Sequence, residues 1–209
     1  PLATLRAAAG KEPLKGNRGV RVDGIEWSGD GRQVAVMLRA HDNKDRWIAT
    51  VDLARQALVP VHRLTDPAWI NWAFNEYGWL PDNRSLWFLS EESGHGHLYT
   101  VVPGQRPQAL TAGRWEVTQP VLAPAGDRFY FTCNRAWPGD YELCERPLGR
   151  GEVRELTDLD GVEGFVFSPD GQQVALRVSS SHVPPQLAVM PAAGGEVRTL
   201  TDTRSEAYR

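Results

Sequence analysis

The sequence predicts an all-β chain: a partial β-propeller of about four four-stranded blades, plus half of a preceding blade. Two landmarks that repeat in step carry that prediction. The dipeptide Leu-Thr occurs at Leu64-Thr65, Leu110-Thr111, Leu156-Thr157 and Leu200-Thr201, at intervals of 46, 46 and 44 residues. Alongside it recurs a large apolar residue, a tight polar turn and an apolar strand. The copies read W-S-G-D-G-R-Q-V-A-V from Trp27, W-L-P-D-N-R-S-L-W-F from Trp79, L-A-P-A-G-D-R-F-Y-F from Leu122 and F-S-P-D-G-Q-Q-V-A-L from Phe167. A period of about 45 residues is that of a propeller blade, and four short strands fit within it. Helix-period amphipathic segments are scarce, which argues against helical solenoids of similar period.

In chain order, Leu2-Ala3-Thr4-Leu5 and the Ala7, Glu12 and Leu14 that follow repeat the pattern of Leu187-Ala188-Val189-Met190 with Ala192, Glu196 and Val197. Residues 1–19 therefore read as the last strands of an earlier blade. Blades follow at 20–66, 67–112, 113–158 and 159–202, and 203–209 read as the start of a connection to the next segment. Within them, residues 47–53 and 98–102 are third strands and 59–64 a fourth. The last blade shows the unit most plainly. Residues 164–167 suit the innermost strand, 174–178 are β-branched enough for the second, 186–190 form the third and 197–200 the fourth. Its first turn, Ser168-Pro169-Asp170-Gly171, has a proline that presets φ, an aspartate that bonds back to the backbone and a glycine that accepts positive φ. Asp30, Asp82 and Asp170 recur at equivalent places, so they read as turn residues; one active site does not need three copies.

An open array of blades leaves an apolar face at each end. If each face exposes about 400 Å², covering it is worth about 10 kcal/mol. The sequence thus leads to the expectation that the chain is a fragment of a larger propeller or meets a copy of itself through its open blade faces, to be read by light scattering.

A hydrophobic content of 41% with 23% charged residues is that of a globular domain, and a net charge of −3 gives no reason to expect nucleic acid as partner. No apolar run has the length of a membrane-spanning helix, and no signal-peptide pattern opens the chain. Its first residue, Pro1, reads as a processing boundary, so the compartment stays open. The two cysteines, Cys133 and Cys144, fall on adjacent predicted strands. A cross-strand disulfide is feasible there, and two small apolar residues in a packed blade is the other reading. Neither they nor the H-x-H pair His95 and His97 have the partners of a metal site, and no cofactor is implied.

Single blades can be compared with a known family. Residues 90–99, S-E-E-S-G-H-G-H-L-Y, resemble the S-E-x-D-G-x-x-H-L-Y segment of dipeptidyl peptidase IV-like propellers, in the prolyl oligopeptidase group of serine peptidases. Tyr130-Phe131-Thr132 then leads through Pro138 to Leu156-Thr157 in that family's order, and S-S-S-H-V-P-P-Q-L from Ser179 resembles its late S-x-x-x-P-P segment. The resemblance runs from about Gly24 to Thr201. It implies a propeller that covers an α/β-hydrolase domain carrying a Ser-Asp-His triad, with short peptides as substrates. The nucleophile motif G-x-S-x-G is absent here, because no serine has a glycine two positions before it. This chain alone is therefore expected to be inactive, with no catalytic residues of its own. Family members that grip a free amino terminus use adjacent glutamates in an aromatic-rich segment. Glu91-Glu92 matches the strand-turn segment instead, and the aromatic stretch 69–79 carries only Glu76. Dipeptidyl, acylaminoacyl and oligopeptidase specificities all stay open. By the same resemblance, bacterial relatives are periplasmic or cytoplasmic.

The candidate substrate-binding residues are Trp72, Asn75 and Glu76 in that aromatic stretch, and Arg114 and Arg135 in or near loops. Aromatics offer rigid contact area and Glu76 could meet a cationic amine. Inter-blade packing and solvated surface are the competing readings of the same residues. At the level of function, the expectation is a gate that orients peptides for the chain's own hydrolase domain. The alternative is a non-enzymatic TolB-like propeller that binds a protein partner.

Overall fold

The computed structural model describes residues 19–206. The strand pair read at the start of the sequence falls on residues outside that range. The described residues fold into four antiparallel four-stranded sheets, each with its strands in chain order, and no α-helix occurs among them. This is the all-β blade architecture the repeat predicts. The described residues divide into two compact units, 19–94 with 98–109 and 95–97 with 110–206.

The first unit holds two sheets. One is β1 (Val20–Trp27), β2 (Val34–Ala40), β3 (Asp45–Asp52) and β4 (Ala57–Thr65); the other is β5 (Tyr77–Trp79), β6 (Leu86–Ser90), β7 (His97–Val101, its first residue grouped with the second unit) and β8 (Gln108–Ala109). Its β2, V-A-V-M-L-R-A, is apolar on both faces because both are buried. Ala35 and Met37, with Ile48 of β3, pack on Leu86, Phe88, Tyr99 and Val101 of the second sheet. Val34, Val36 and Leu38 form another cluster with Trp47 and Ala49 on the opposite face.

The second unit holds β9 (Val117–Leu122), β10 (Arg128–Trp137), β11 (Asp140–Pro147) and β12 (Arg154–Glu155) in one sheet. Its other sheet is β13 (Val162–Phe167), β14 (Gln173–Ser180), β15 (Val183–Pro191) and β16 (Arg198–Thr199). Tyr130, Leu143 and Leu156 meet Val174, Leu176, Ala188 and Met190 in one core. Cys133 and Cys144 are bonded to each other and fully buried. Their strands pair Cys133 with Glu142 and Phe131 with Cys144, so the bridge runs diagonally between neighbouring residues on one face. With both sulfurs in a disulfide, neither is a thiolate that could join nearby Glu155 around a metal.

The repeated landmarks have separate physical causes. In the strand-one turns, Ser28 and Ser168 each donate a side-chain hydrogen bond to the aspartate two residues on, at 2.7 and 2.5 Å. The same carboxylates accept from Arg32 N and Gln172 N at 3.1 and 3.0 Å. The following position needs positive φ, and Gly31, Asn83, Gly126 and Gly171 occupy it at 68°, 55°, 69° and 69°.

Leu64-Thr65 ends β4 within the ladder, whereas the other three Leu-Thr dipeptides follow the last residue of a fourth strand and act there as a clasp. Leu156 N donates to Leu143 O at 2.7 Å, continuing the ladder from β12 to β11. Thr157 then substitutes its side chain for a backbone acceptor: Leu143 N donates to its Oγ1 at 2.9 Å, and that hydroxyl donates to Glu142. Leu159 N closes the loop by donating to Glu142 Oε1 at 2.7 Å. The last sheet repeats the arrangement with an amide. Leu187 N donates to Thr201 Oγ1 at 2.9 Å, and Thr201 Oγ1 and Thr203 N both donate to Gln186 Oε1 at 3.0 Å. At Thr111 the polar partner is His97, whose Nδ1 lies 3.1 Å from the threonine hydroxyl and whose Nε2 donates to Gly113 O at 3.1 Å. His97 is buried with both ring nitrogens engaged, which gives it a structural role.

Candidate functional site

Of the predicted site residues, Trp72, Asn75 and Glu76 lie in the first unit, on the connection between β4 and β5. That connection is built from local polar bonds. Asp66 Oδ1 accepts from Ala68 N and Trp69 N at 2.7 and 2.9 Å, turning the chain as it leaves β4. Asn71 caps a single 3-10 turn, Trp72–Phe74, by accepting from Ala73 N at 3.0 Å. Ile70 is fully buried, and its N–H donates to Asn43 O at 2.8 Å. Asn71 N donates to Glu91 Oε1 at 2.8 Å, so one member of the Glu91-Glu92 pair holds the turn in place.

Trp72 is half-buried: its indole N–H donates to Asn43 Oδ1, and the Arg39 guanidinium stacks 3.8 Å from its ring. Asn75 has both ends of its amide engaged. Its Oδ1 accepts from Arg46 Nη1 at 2.9 Å and its Nδ2 donates to Asn71 O at 2.8 Å. Glu76 differs from both. Its carbonyl accepts from Leu89 N at 2.9 Å, while its side chain reaches solvent. Partial burial of the carboxyl raises it above the ordinary carboxylate range, and backbone N–H bonds from residues 75 and 76 oppose that. Of these three residues, Glu76 presents an open charge, and exposed Trp69 lies a few residues before it in the same connection.

Arg114 and Arg135 belong to the second unit. Arg114 is exposed between β8 and β9. Arg135 ends the buried stretch of β10, donates to Val153 O at 3.2 Å, pairs with Glu155 at 3.7 Å and stacks 5.4 Å from the Trp115 ring. With Ala136 and Arg154 these residues line an open cleft of about 540 Å³. A wider groove of about 610 Å³ crosses the outer face of β13 to β15, between Phe165, Arg177 and Leu187. Thus Trp72, Asn75 and Glu76 share one connection of the first unit, and Arg135 meets Trp115 within the second.

Sequence reasoning did not single out the group that holds the first connection in place. Arg46 is fully buried in β3, and its Nη1 also donates to Leu89 O at 2.8 Å and Phe74 O at 3.4 Å. Its Nη2 meets His62 Nδ1 at 3.2 Å, and His62 Nε2 meets Glu92 Oε2 at 2.6 Å. Arg46 Nε has no acceptor among the described residues. The available signal was an arginine directly before the largely apolar run W-I-A-T-V of the third strand.

Comparison with known proteins agrees with the blade architecture. The "Dipeptidyl peptidase IV (DPP IV) N-terminal region" family matches residues 18–185, well over half of the chain. Among solved structures, TolB from Acinetobacter baumannii is similar over 90% of this chain with a TM-score of 0.57 at 20% identity, a likeness of fold. The chain spans 45% of the length of that TolB structure. On the family match, this chain belongs to the dipeptidyl peptidase IV N-terminal region family.

Proposed function

We propose that this chain is the propeller portion of a serine peptidase, gating and orienting peptide substrates for an α/β-hydrolase domain of the same protein. The family match over residues 18–185 carries that reading. In the parent enzyme, a serine of the hydrolase domain attacks the peptide carbonyl, a histidine takes its proton and backbone N–H groups hold the oxyanion. The propeller's part is to position the peptide, and Glu76, an open carboxylate beside aromatic surface, is the group suited to a cationic amino terminus.

Two measurements test this. The 209-residue chain gives no turnover of a proline-containing chromogenic peptide, while the parent does and is labelled by a fluorophosphonate. Turnover by the chain itself, or a reading frame beyond Arg209 without G-x-S-x-G, overturns the reading in favour of a TolB-like binding module. In the parent, Glu76→Gln raises KM for peptides with a free amino terminus about tenfold, the worth of roughly 1.4 kcal/mol of lost charge pairing. N-acetylated peptides keep their KM. Equal effects on both peptide classes remove Glu76 from amine recognition.

A further inference from the structure

The Arg46–His62–Glu92 chain joins three elements by bonds whose direction is fixed. A guanidinium only donates, so His62 Nδ1, 3.2 Å from Arg46 Nη2, must be the bare, accepting nitrogen. The proton of neutral His62 therefore sits on Nε2, which donates to Glu92 Oε2 at 2.6 Å. Glu92 also accepts from Ser90 Oγ at 3.3 Å. The other arm of the same guanidinium, Nη1, holds Phe74 O, Asn75 Oδ1 and Leu89 O. One buried cation thus connects the state of His62 to the backbone of the turn that precedes Glu76.

We propose that Arg46 is the positioning residue of the 71–76 segment and that His62 makes its grip acid-releasable. The proposal rests on the peptide-orienting reading for its functional meaning, and on geometry alone for its existence. A second proton on His62 can go only to Nδ1, where it faces an N–H of Arg46. Two donors at that separation repel, so the guanidinium withdraws and the carbonyls and amide held by its other arm lose their donor.

The charged groups that face His62 are Arg46 from β3 and Glu92 from the turn after β6; the Phe88 ring of β6 packs on it at 4.4 Å. Arg46 faces Glu91 as well as Glu92. On His62's own strand, Arg63 pairs with Asp45 at 2.8 Å. Burial moves the His62 imidazole below its ordinary range, the Glu92 hydrogen bond opposes that and Arg46 reinforces it. A histidine whose folded value is depressed stabilises the closed arrangement above the ordinary imidazole range and loses it as pH falls. Glu92, held below its ordinary range first by the His62 hydrogen bond, acts in the same direction at still lower pH.

The test is amide hydrogen exchange of the 209-residue chain, corrected for intrinsic rates, at about pH 7.5 and about pH 5. Peptides covering 70–76 should lose protection about tenfold at the lower pH, while peptides from β2 keep theirs. His62→Gln should abolish that pH dependence, because Gln accepts from Arg46 through Oε1 and donates to Glu92 through Nε2 without titrating. The His62 ring resonances, followed by NMR in the unsubstituted chain, should titrate in step with the exchange. Protection of 70–76 that does not respond to pH overturns the proposal. So does a His62→Gln chain as acid-sensitive as the original, or a ring titration out of step with exchange. No peptide substrate enters the experiment, so its failure leaves the peptide-orienting reading standing, and failure of that reading leaves the acid response to be measured.

Discussion

Reducing the Cys133–Cys144 bond lowers the stability of the second unit by about 3 kcal/mol, read as a shift of its urea midpoint with and without reductant. The cysteines are 11 residues apart, so the bond closes a short hairpin loop, and the entropy it removes from the unfolded chain is modest but present. Both sulfurs are fully buried between the two central strands of their sheet. Dithiothreitol therefore reaches them only when the sheet opens. Reduction should be slow in native buffer and accelerate with urea in parallel with unfolding. Reduction that is fast in native buffer shows instead that the bridge lies at a locally open edge. An unchanged midpoint shows that the unfolded state does not feel the crosslink. Because the bond persists only in oxidising surroundings, chain made in a reducing cytosol should melt earlier than chain exported to an oxidising compartment.

The disulfide marks the boundary of what was legible in the amino-acid order. Periodicity located the strands: residues 47–52 fall within β3, Leu98 follows His97 in β7, and residues 174–178 fall within β14. Turn chemistry at Ser28 and Ser168 was legible because each bond joins residues two apart. The family was legible because two spaced segments, residues 90–99 and 179–187, each joining the second and third strands of a sheet, are specific together. Whether two cysteines on neighbouring strands bond was not legible, since it depends on which faces they share, and a one-residue slip of register would separate them. The anchor of the candidate connection was hidden for a related reason. Arg46 reaches Asn75 across 29 positions and Leu89 across 43, and no local pattern records a bond of that span. Asn75 looked like a residue free to meet a ligand because its partner lies on another strand. Glu76 lies immediately before the short strand β5, with its carbonyl tied to Leu89 N and its side chain exposed.

Thr157→Val removes one hydroxyl and should cost about 2–4 kcal/mol, because the buried N–H of Leu143 and a carboxylate oxygen of Glu142 both lose their partner. Valine keeps the shape, so a cavity cannot account for the loss. The companion substitution Glu142→Gln should be neutral or stabilising. The last sheet already contains that solution: Gln186 stands at the equivalent place, is buried, and accepts from Thr201 and Thr203 as Glu142 accepts from Thr157 and Leu159. The two substitutions also differ in pH dependence. Burial raises the Glu142 carboxyl above its ordinary 4.5, with Asp140 and Asp158 adding to the shift and the Thr157 and Leu159 bonds opposing it. A carboxyl whose folded value is raised favours the folded state in its protonated form. Its contribution is therefore fully present below the ordinary value and lost as pH rises through the folded one. The advantage of Glu142→Gln over the unsubstituted chain should accordingly be small near pH 4 and grow toward neutrality, while the penalty of Thr157→Val grows along the same path as the carboxylate loses the hydroxyl that steadied it. Thermal melts of the three chains between about pH 4 and about pH 8 read both trends. A pH-independent gap between Glu142→Gln and the unsubstituted chain places the titrating charge elsewhere. A harmless Thr157→Val shows that the ladder finds another acceptor, and with it that the Leu-Thr repeat is kept for its leucine.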